Sequence, residues 1–120
     1  MDKKILVVDD AIFMRTTVQN TLKKAGYVNL VEAGNGRQAE EQYEKEHPDL
    51  VVMDITMPDM DGLQALKAIK EIDAAAKVVM CSAMGQEAMV IEAIQLGALD
   101  FIVKPFKPDR LLKTGSTILG

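Results

Sequence analysis

The apolar residues of this chain follow two alternating patterns. Short continuous runs, such as Ile5-Leu6-Val7-Val8 and Leu50-Val51-Val52-Met53, have no polar alternation and predict strands covered on both faces. Longer segments carry apolar residues three or four positions apart, as in Met14, Val18 and Leu22, and predict helices. The predicted strands are 3–8, 28–32, 50–54, 77–81 and 99–103, and the predicted helices are 11–25, 37–47, one that begins at 62, 86–96 and one that begins near 108.

Five strands that alternate with five helices, without a linker or repeat, predict a single α/β domain over residues 1–120. Such an alternation favours a doubly wound (βα)5 fold, a five-stranded parallel sheet with right-handed crossovers and helices on both faces. The pattern does not fix the strand order, but the flavodoxin-like order 2-1-3-4-5 is the common solution. The last helix contains the weak helix formers Gly115, Ser116 and Thr117, so we expect it to be short or frayed.

Composition narrows the function classes. The chain of 120 residues is 48% hydrophobic and 27% charged, which suits one folded core. Its net charge of −4 and its lack of a basic stripe argue against nucleic acid as a partner. No apolar run approaches the roughly 18 residues of a membrane span, and no signal-peptide pattern opens the chain. The single cysteine, Cys81, is expected to be a buried apolar residue in a reducing compartment, so we expect a cytoplasmic protein.

Polar side chains stand where four of the predicted strands end. Asp9 and Asp10 follow strand 1, Asp54 ends strand 3, Ser82 follows strand 4 and Lys104 follows strand 5. Because the carboxyl ends of parallel strands share one edge of the sheet, we expect these groups to meet. Three carboxylates that meet would repel one another unless a cation relieves them, and an oxygen-only ligand set favours Mg²⁺.

This combination of groups is suited to phosphoryl transfer onto an aspartate. The Asp54 carboxylate would attack in line, while the metal ion and the Lys104 ammonium neutralise charge on the phosphoryl oxygens. Simpler interpretations remain for each member: the acidic pair and Ser82 could cap helices, and Lys104-Pro105 could be a solvated turn. Their joint placement at four strand ends favours the functional interpretation.

With these residues the chain resembles the receiver domains of response regulators, and within that family the stand-alone chemotaxis members. The similarity runs from about Lys3 to Lys113. The motifs that carry it are Asp9-Asp10, Asp54 after a β-branched strand, Met57-Pro58 with Asp61-Gly62, Ser82-Ala83, and Lys104-Pro105-Phe106.

The resemblance implies a phosphoacceptor signalling protein that catalyses only its own phosphorylation and dephosphorylation. Asp54 would accept the phosphoryl group from a histidine kinase. Mg²⁺ would be bound by Asp10, by Asp54 and by the backbone carbonyl of Thr56, with Asp9 holding it through water. Lys104 would pair with the phosphoryl oxygens.

The resemblance also implies a switch. Ser82 would follow the phosphoryl group inward, and Phe101, at the aromatic switch position, would move from exposed to buried. This movement would remodel the face formed by helix 4, strand 5 and helix 5. The alternative is that Phe101 is permanently buried. The family further implies a cis Lys104-Pro105 peptide and two positions that tune dephosphorylation, Thr56 and Met84.

The implied partners are a histidine kinase, a flagellar motor switch protein and a phosphatase, and the chain is expected to be a monomer. A receiver of a different phosphorelay, or one cut from a larger regulator, could have the same sequence. An enzyme that hydrolyses phosphomonoesters through Asp54 is a less favoured alternative, because Thr56 stands where such enzymes commonly carry a second aspartate. Flavin binding is disfavoured since Asp9-Asp10 would repel the ligand phosphate.

Overall fold

The computed structural model describes residues 3–57, 60–83 and 86–120, so Pro58 of the predicted Met57-Pro58 motif and Met84 lie outside the described residues. Within these ranges no helix combines the length and the apolar character that crossing a membrane requires. The strands are β1 (Lys4–Val8), β2 (Asn29–Ala33), β3 (Leu50–Asp54), β4 (Val78–Ala83) and β5 (Asp100–Lys104). The helices are α1 (Ile12–Lys24), α2 (Gly36–Glu46), α3 (Gly62–Ile72), α4 (Glu87–Gln95) and α5 (Pro108–Leu119).

The sheet has the order β2-β1-β3-β4-β5, and every neighbouring pair is parallel. This arrangement confirms the predicted doubly wound, flavodoxin-like (βα)5 fold. It also places β2, whose sequence is the least apolar, at one edge of the sheet. Strands β1 and β3 lie side by side at its centre, where the chain reverses its direction of winding.

Helices cover both faces of the sheet, which explains the unalternated apolar runs. Strand residues such as Val8, Met53 and Met80 pack in one core with α2, α3 and α4. Their neighbours Val7, Val52, Val79 and Ile102 pack in a second core with α1 and α5. Since successive side chains of a strand point to opposite faces, each central strand contributes to both cores.

The start of α3 packs directly against the end of β3. Asp61 caps α3: its side chain accepts a hydrogen bond from the Gln64 N–H, and the Gln64 side chain accepts one from the Asp61 N–H. The Gly62 N–H donates to the Ile55 carbonyl at 2.7 Å. A Cβ on Gly62 would lie 2.2 Å from the carbonyl oxygen of Asp54, so this close approach requires glycine.

Three local predictions are corrected by tertiary packing. The last helix is neither short nor frayed, because α5 runs over 12 residues and buries Leu111 and Thr114 against the sheet. Ser82 lies inside β4, which extends to Ala83, and not in the loop after it. The helical spacing of Met89, Val90, Ala93 and Ile94 in the predicted helix 86–96 turns all four inward or half inward, but Ile94 of α4 is 45% exposed.

Candidate functional site

Three charged side chains continue the strand alternation at the carboxyl-terminal edge of the sheet. Asp9, Asp54 and Lys104 each stand two residues after a strand residue of the core formed with α1 and α5. Those strand residues are Val7, Val52 and Ile102. Because residues two apart on a strand share a face, the three charged groups converge on the α1 and α5 side of the sheet.

Asp9, Asp10, Asp54 and Lys104 form what we call the acidic pocket. One carboxylate oxygen from each aspartate lies within 4.8 Å of the others. The Lys104 Nζ lies 2.7 Å from Asp9 Oδ2 and 3.4 Å from Asp54 Oδ1. Asp9 and Asp54 are buried and Asp10 is exposed, so the pocket opens to solvent on the Asp10 side. With all side chains ionised, one ammonium against three carboxylates leaves two negative charges.

The electrostatics of the pocket follow from this crowding. Burial raises the pKa of Asp54 above its ordinary value; Lys104 opposes that rise and Asp9 adds to it. Burial alone would lower the pKa of Lys104, but the hydrogen bond to Asp9 and the charge of Asp54 raise it overall. The ammonium is therefore held in its charged form by the two carboxylates. A group of hard oxygen ligands with excess negative charge has the chemistry that Mg²⁺ prefers.

Asp9 is fixed by contacts on both sides. Its Oδ2 accepts from Lys104, and its Oδ1 accepts from the Ala11 N–H at 2.9 Å. The capping interpretation of the acidic pair is thus correct in part: Asp9 holds the turn into α1, although Ala11 is the N-cap residue. Arg15 donates to the Asp9 carbonyl at 2.6 Å and to Glu32 at 3.1 Å, which ties the ends of β1 and β2 together.

Ser82 and Phe101 line a second region, which we call the α4–β5 groove. This groove has a volume of about 560 Å³ and is mostly apolar. Its lining includes Ser82, Val90, Ile91, Ile94, Phe101 and Val103. Phe101 is 36% exposed, so the structure shows the exposed arrangement and not a permanently buried aromatic. Ser82 is itself buried, and its inward movement stays a prediction.

Residues 5–115 match the family model for the response regulator receiver domain. The chain belongs to this family. It is 60% identical over 113 residues to the chemotaxis protein CheY of Bacillus subtilis (strain 168), and the match covers 94% of each chain. The resemblance drawn from the strand-end motifs is therefore confirmed.

Two solved structures of receivers support the same assignment. The chemotaxis protein CheY4 of Vibrio cholerae superposes with a TM-score of 0.90 at 32% identity, over 98% of this chain and 99% of that one. A CheX–CheY–BeF3–Mg²⁺ complex from Borrelia burgdorferi contains a chain that superposes with a TM-score of 0.92 at 33% identity, over 98% of this chain and 90% of that one. This chain therefore has the fold of a receiver domain.

Two remaining features of this receiver match their predictions. Cys81 is fully buried beside the acidic pocket, where burial raises the pKa of its thiol to about 12, so it is a packing residue and not a nucleophile. The Lys104-Pro105 peptide is cis.

Thr56 lies next to the pocket, and the structure places it with a residue that the sequence did not single out. The Thr56 N–H donates a hydrogen bond to Asp54 that lowers the pKa of this carboxyl. The Thr56 hydroxyl accepts from the Gln86 side chain at 2.5 Å. Its backbone carbonyl as a metal ligand stays a prediction. Gln86 and Arg15 were missed because both act through contacts with residues that are distant in the sequence, for which a single sequence carries no signal.

Proposed function

We propose that residues 1–120 work as one receiver domain that accepts a phosphoryl group on Asp54 from a histidine kinase, with Mg²⁺ as cofactor. The observation that carries this proposal is the setting of the Asp54 carboxylate. It is buried at the end of β3, grouped with two further carboxylates within 4.8 Å, and 3.4 Å from the Lys104 ammonium. Such a buried nucleophile beside a fixed cation suits phosphoryl transfer.

The donor set fits a magnesium ion. All its candidate ligands are oxygens, the pocket carries two uncompensated negative charges, and Asp10 leaves one side open to water. Asp10, Asp54 and the Thr56 carbonyl would bind the ion directly, and Asp9 would hold it through water. The bound ion would supply positive charge opposite the phosphoryl oxygens. The CheY complex from Borrelia burgdorferi contains Mg²⁺, which supports this cofactor.

The protein's own groups would carry out the transfer. An ionised Asp54 oxygen forms the new bond to phosphorus while the phosphorus–nitrogen bond of phosphohistidine breaks and its electron pair passes to the imidazole. No general base is required, since the carboxylate is already ionised. Lys104 would exchange part of its contact with Asp54 for the phosphoryl oxygens and would stay held by Asp9, 2.7 Å away.

We propose the α4–β5 groove as the output surface, with a flagellar motor switch protein as its partner. Ser82 and Phe101 would link the groove to the phosphoryl group, as the receiver resemblance implies. Ile91, Ile94 and Phe101 are exposed apolar side chains, a feature that marks interaction surfaces. The chemotaxis name of a relative that is 60% identical supports this choice over another phosphorelay. A cytoplasmic location and a monomeric state stay predictions.

The phosphoacceptor role is tested by intact mass after incubation with acetyl phosphate, with and without Mg²⁺. We expect the gain of one phosphoryl group in the wild type with Mg²⁺, and none for Asp54→Ala. The matched control is Asp109→Ala, which removes an exposed aspartate on α5 and should leave the gain intact. Phosphorylation of Asp54→Ala to the wild-type level would refute the assignment.

The output surface is tested by measuring binding of the motor switch protein to the phosphorylated and unphosphorylated chain. Ile91→Ser removes an apolar contact from the groove, while Val28→Ser changes an apolar residue that is 71% exposed and lies outside the groove. We expect only Ile91→Ser to weaken phosphorylation-dependent binding. Equal binding by the two variants would show that the groove is not the docking surface.

A further inference from the structure

The side-chain amide of Gln86 uses both of its polar atoms to join two strand ends. Its Oε1 accepts from the Ala83 N–H at 2.7 Å, at the end of β4. Its Nε2 donates to the Thr56 hydroxyl at 2.5 Å, just beyond β3, and lies 3.9 Å from the Met89 sulfur. The amide is therefore a bridge that spans the gap between the two strands.

The bridged groups lie at the level of the acidic pocket. Asp54 pairs with Cys81 in the parallel register, so two residues further along Thr56, just beyond β3, faces Ala83, the last residue of β4. The Cys81 carbonyl accepts from the Ile55 N–H, which places the backbone polar groups of Cys81 toward β3. Backbone groups two residues apart point to the same side of a strand, so the Ala83 N–H also faces β3 and the region above Asp54.

Gln86 also stands at the junction with the α4–β5 groove. It directly precedes α4, and its side chain makes no capping bond to that helix. Both Gln86 and Ala83 line the groove, together with Val90 and Ile91 of α4. A change in the bond between Gln86 and Ala83 would therefore reach both the strand end beside the pocket and the first turn of α4.

A phosphoryl group on Asp54 would bring a competing acceptor to this place. It carries three oxygens and between about 1.5 and 2 negative charges, all of which require donors or cations. A charged oxygen accepts a stronger hydrogen bond from a backbone N–H than the neutral oxygen of an amide does. The Ala83 N–H faces the region above Asp54, so it is a donor for which the phosphoryl group and Gln86 would compete.

We propose that Gln86 is a positioning residue that stabilises the unphosphorylated receiver by occupying the Ala83 N–H. Phosphorylation displaces the Gln86 Oε1 from this donor and releases its bond with Thr56, which frees the start of α4 to move. The inference rests on the proposed phosphorylation of Asp54 and adds to it a residue outside the motifs of the sequence. Gln86 thus sets how easily the receiver enters its phosphorylated conformation.

The first test uses beryllofluoride with saturating Mg²⁺ as a reversible phosphoryl mimic. Gln86→Ala and Gln86→Asn both remove the bridge, the second because its side chain is one methylene too short. Each should bind beryllofluoride about 2- to 10-fold more tightly than the wild type, the equilibrium effect of one competing hydrogen bond. Gln42→Ala, on α2, is the matched control and should keep wild-type affinity.

The second test asks whether Gln86 and Thr56 act together. Thr56→Val removes the hydroxyl and keeps the backbone carbonyl and the shape of the side chain. If both residues belong to one bridge, the double variant with Gln86→Ala should bind beryllofluoride no more tightly than Gln86→Ala alone. Additive gains would contradict a shared bridge.

NMR provides a readout that a purely structural role would not change. The Gln86 side-chain amide signals and the Ala83 N–H signal should shift together when beryllofluoride binds, and the hydrogen bond between them should be lost. Its persistence in the bound state would overturn the proposal. So would wild-type or weaker affinity of Gln86→Ala while the wild type binds normally. If the wild type fails to bind, the proposed function and this inference both fail.

Discussion

The acidic pocket and the α4–β5 groove are built from adjacent residues of the same strands, yet their chemistry is opposite. On β5, Val103 lines the groove while the next residue, Lys104, lies in the pocket. On β4, Ser82 lines the groove while Cys81 packs on the pocket side. Strand alternation alone separates the two regions. A small shift of one strand end would therefore move residues of both the acidic pocket and the α4–β5 groove.

Each region makes an unfavourable contribution to the free energy of the unbound protein, but the physical cause differs. The pocket keeps excess negative charge in a partly buried place, which is unfavourable without a cation. The groove keeps apolar side chains in water, with Ile91 59% exposed and Phe101 36% exposed. A metal ion would relieve the first region, and a protein partner would relieve the second. The comparison predicts that substitutions should affect one region with little effect on the other.

The largest effect, on the free energy of unfolding, is expected for Gly62→Ala, because the added methyl group would collide with the backbone of Asp54 and Ile55. The new Cβ would lie 2.2 Å from the Asp54 carbonyl oxygen and 2.7 Å from the Ile55 Cα, so the loop has to move. We expect a loss of more than about 3 kcal/mol of unfolding free energy, measured by urea denaturation.

The control for Gly62→Ala is Gly115→Ala in α5, outside both regions. A Cβ there meets no atom within 4 Å, and alanine favours the helix. This variant should gain about 0.5–1 kcal/mol. Destabilisation of both variants to the same degree would show that the predicted collision is not the cause.

The next effect concerns the open side of the pocket. Asp10→Ala removes an exposed carboxylate from the three-aspartate group, so Mg²⁺ affinity measured by calorimetry should fall by at least about 100-fold. Loss of a residue that only supports a metal ligand typically lowers affinity about 10- to 100-fold, and we expect loss of Asp10, a direct ligand, to lower it further. Retained Mg²⁺ affinity would contradict the metal assignment, with Asp109→Ala as the unaffected reference.

Lys104→Met tests the charge balance of the pocket. The variant leaves Asp9 and Asp54 without their cation, which we expect to cost about 1–3 kcal/mol in EDTA, less than for a fully buried pair because Lys104 is partly exposed. Added Mg²⁺ should restore more stability to the variant than to the wild type. Equal gains in the two proteins would mean that the lysine does not balance the carboxylates.

A smaller effect follows from the pH dependence of Asp54. Burial raises the pKa of Asp54 in the fold, so the metal-free folded chain keeps this proton to a higher pH than the unfolded chain does. The stabilisation from the bound proton is complete below the unfolded pKa and is lost as the pH rises through the folded pKa. In EDTA, the Tm of Asp54→Asn relative to wild type should therefore be higher at pH 7 than at pH 4. A constant difference would contradict the sign of the shift.

The smallest effect on Mg²⁺ binding in the pocket is expected for a substitution in the groove. Phe101→Ala alters the groove but lies on the face opposite Asp54 and Lys104, so Mg²⁺ affinity should change by less than about two-fold. The same variant should weaken any phosphorylation-dependent partner binding. A large loss of Mg²⁺ affinity would show that the two regions are coupled even without a phosphoryl group.

Most of the fold and the charged members of the site could be predicted because both depend on local pattern. Continuous apolar runs mark buried parallel strands, and a polar residue such as Asp54 or Lys104 directly after one marks the sheet edge. The error at α5 came from using propensity alone. Glycine, serine and threonine disfavour a helix by tenths of a kcal/mol up to about 1 kcal/mol each, and burial of Leu111 outweighs this.

The sequence by itself thus determined the order of elements and the strand ends that carry charge, since these follow from periodicity and chain connectivity. Only the tertiary structure decided on which side of the sheet the side chain of each strand-end residue lies. It grouped Asp9, Asp54 and Lys104 on the α1 and α5 side and placed Ser82 and Phe101 in the groove. It also joined Gln86 to Thr56 across 30 residues of sequence. The physical reason is that facing and long-range contact depend on strand register and helix packing, which no local pattern contains.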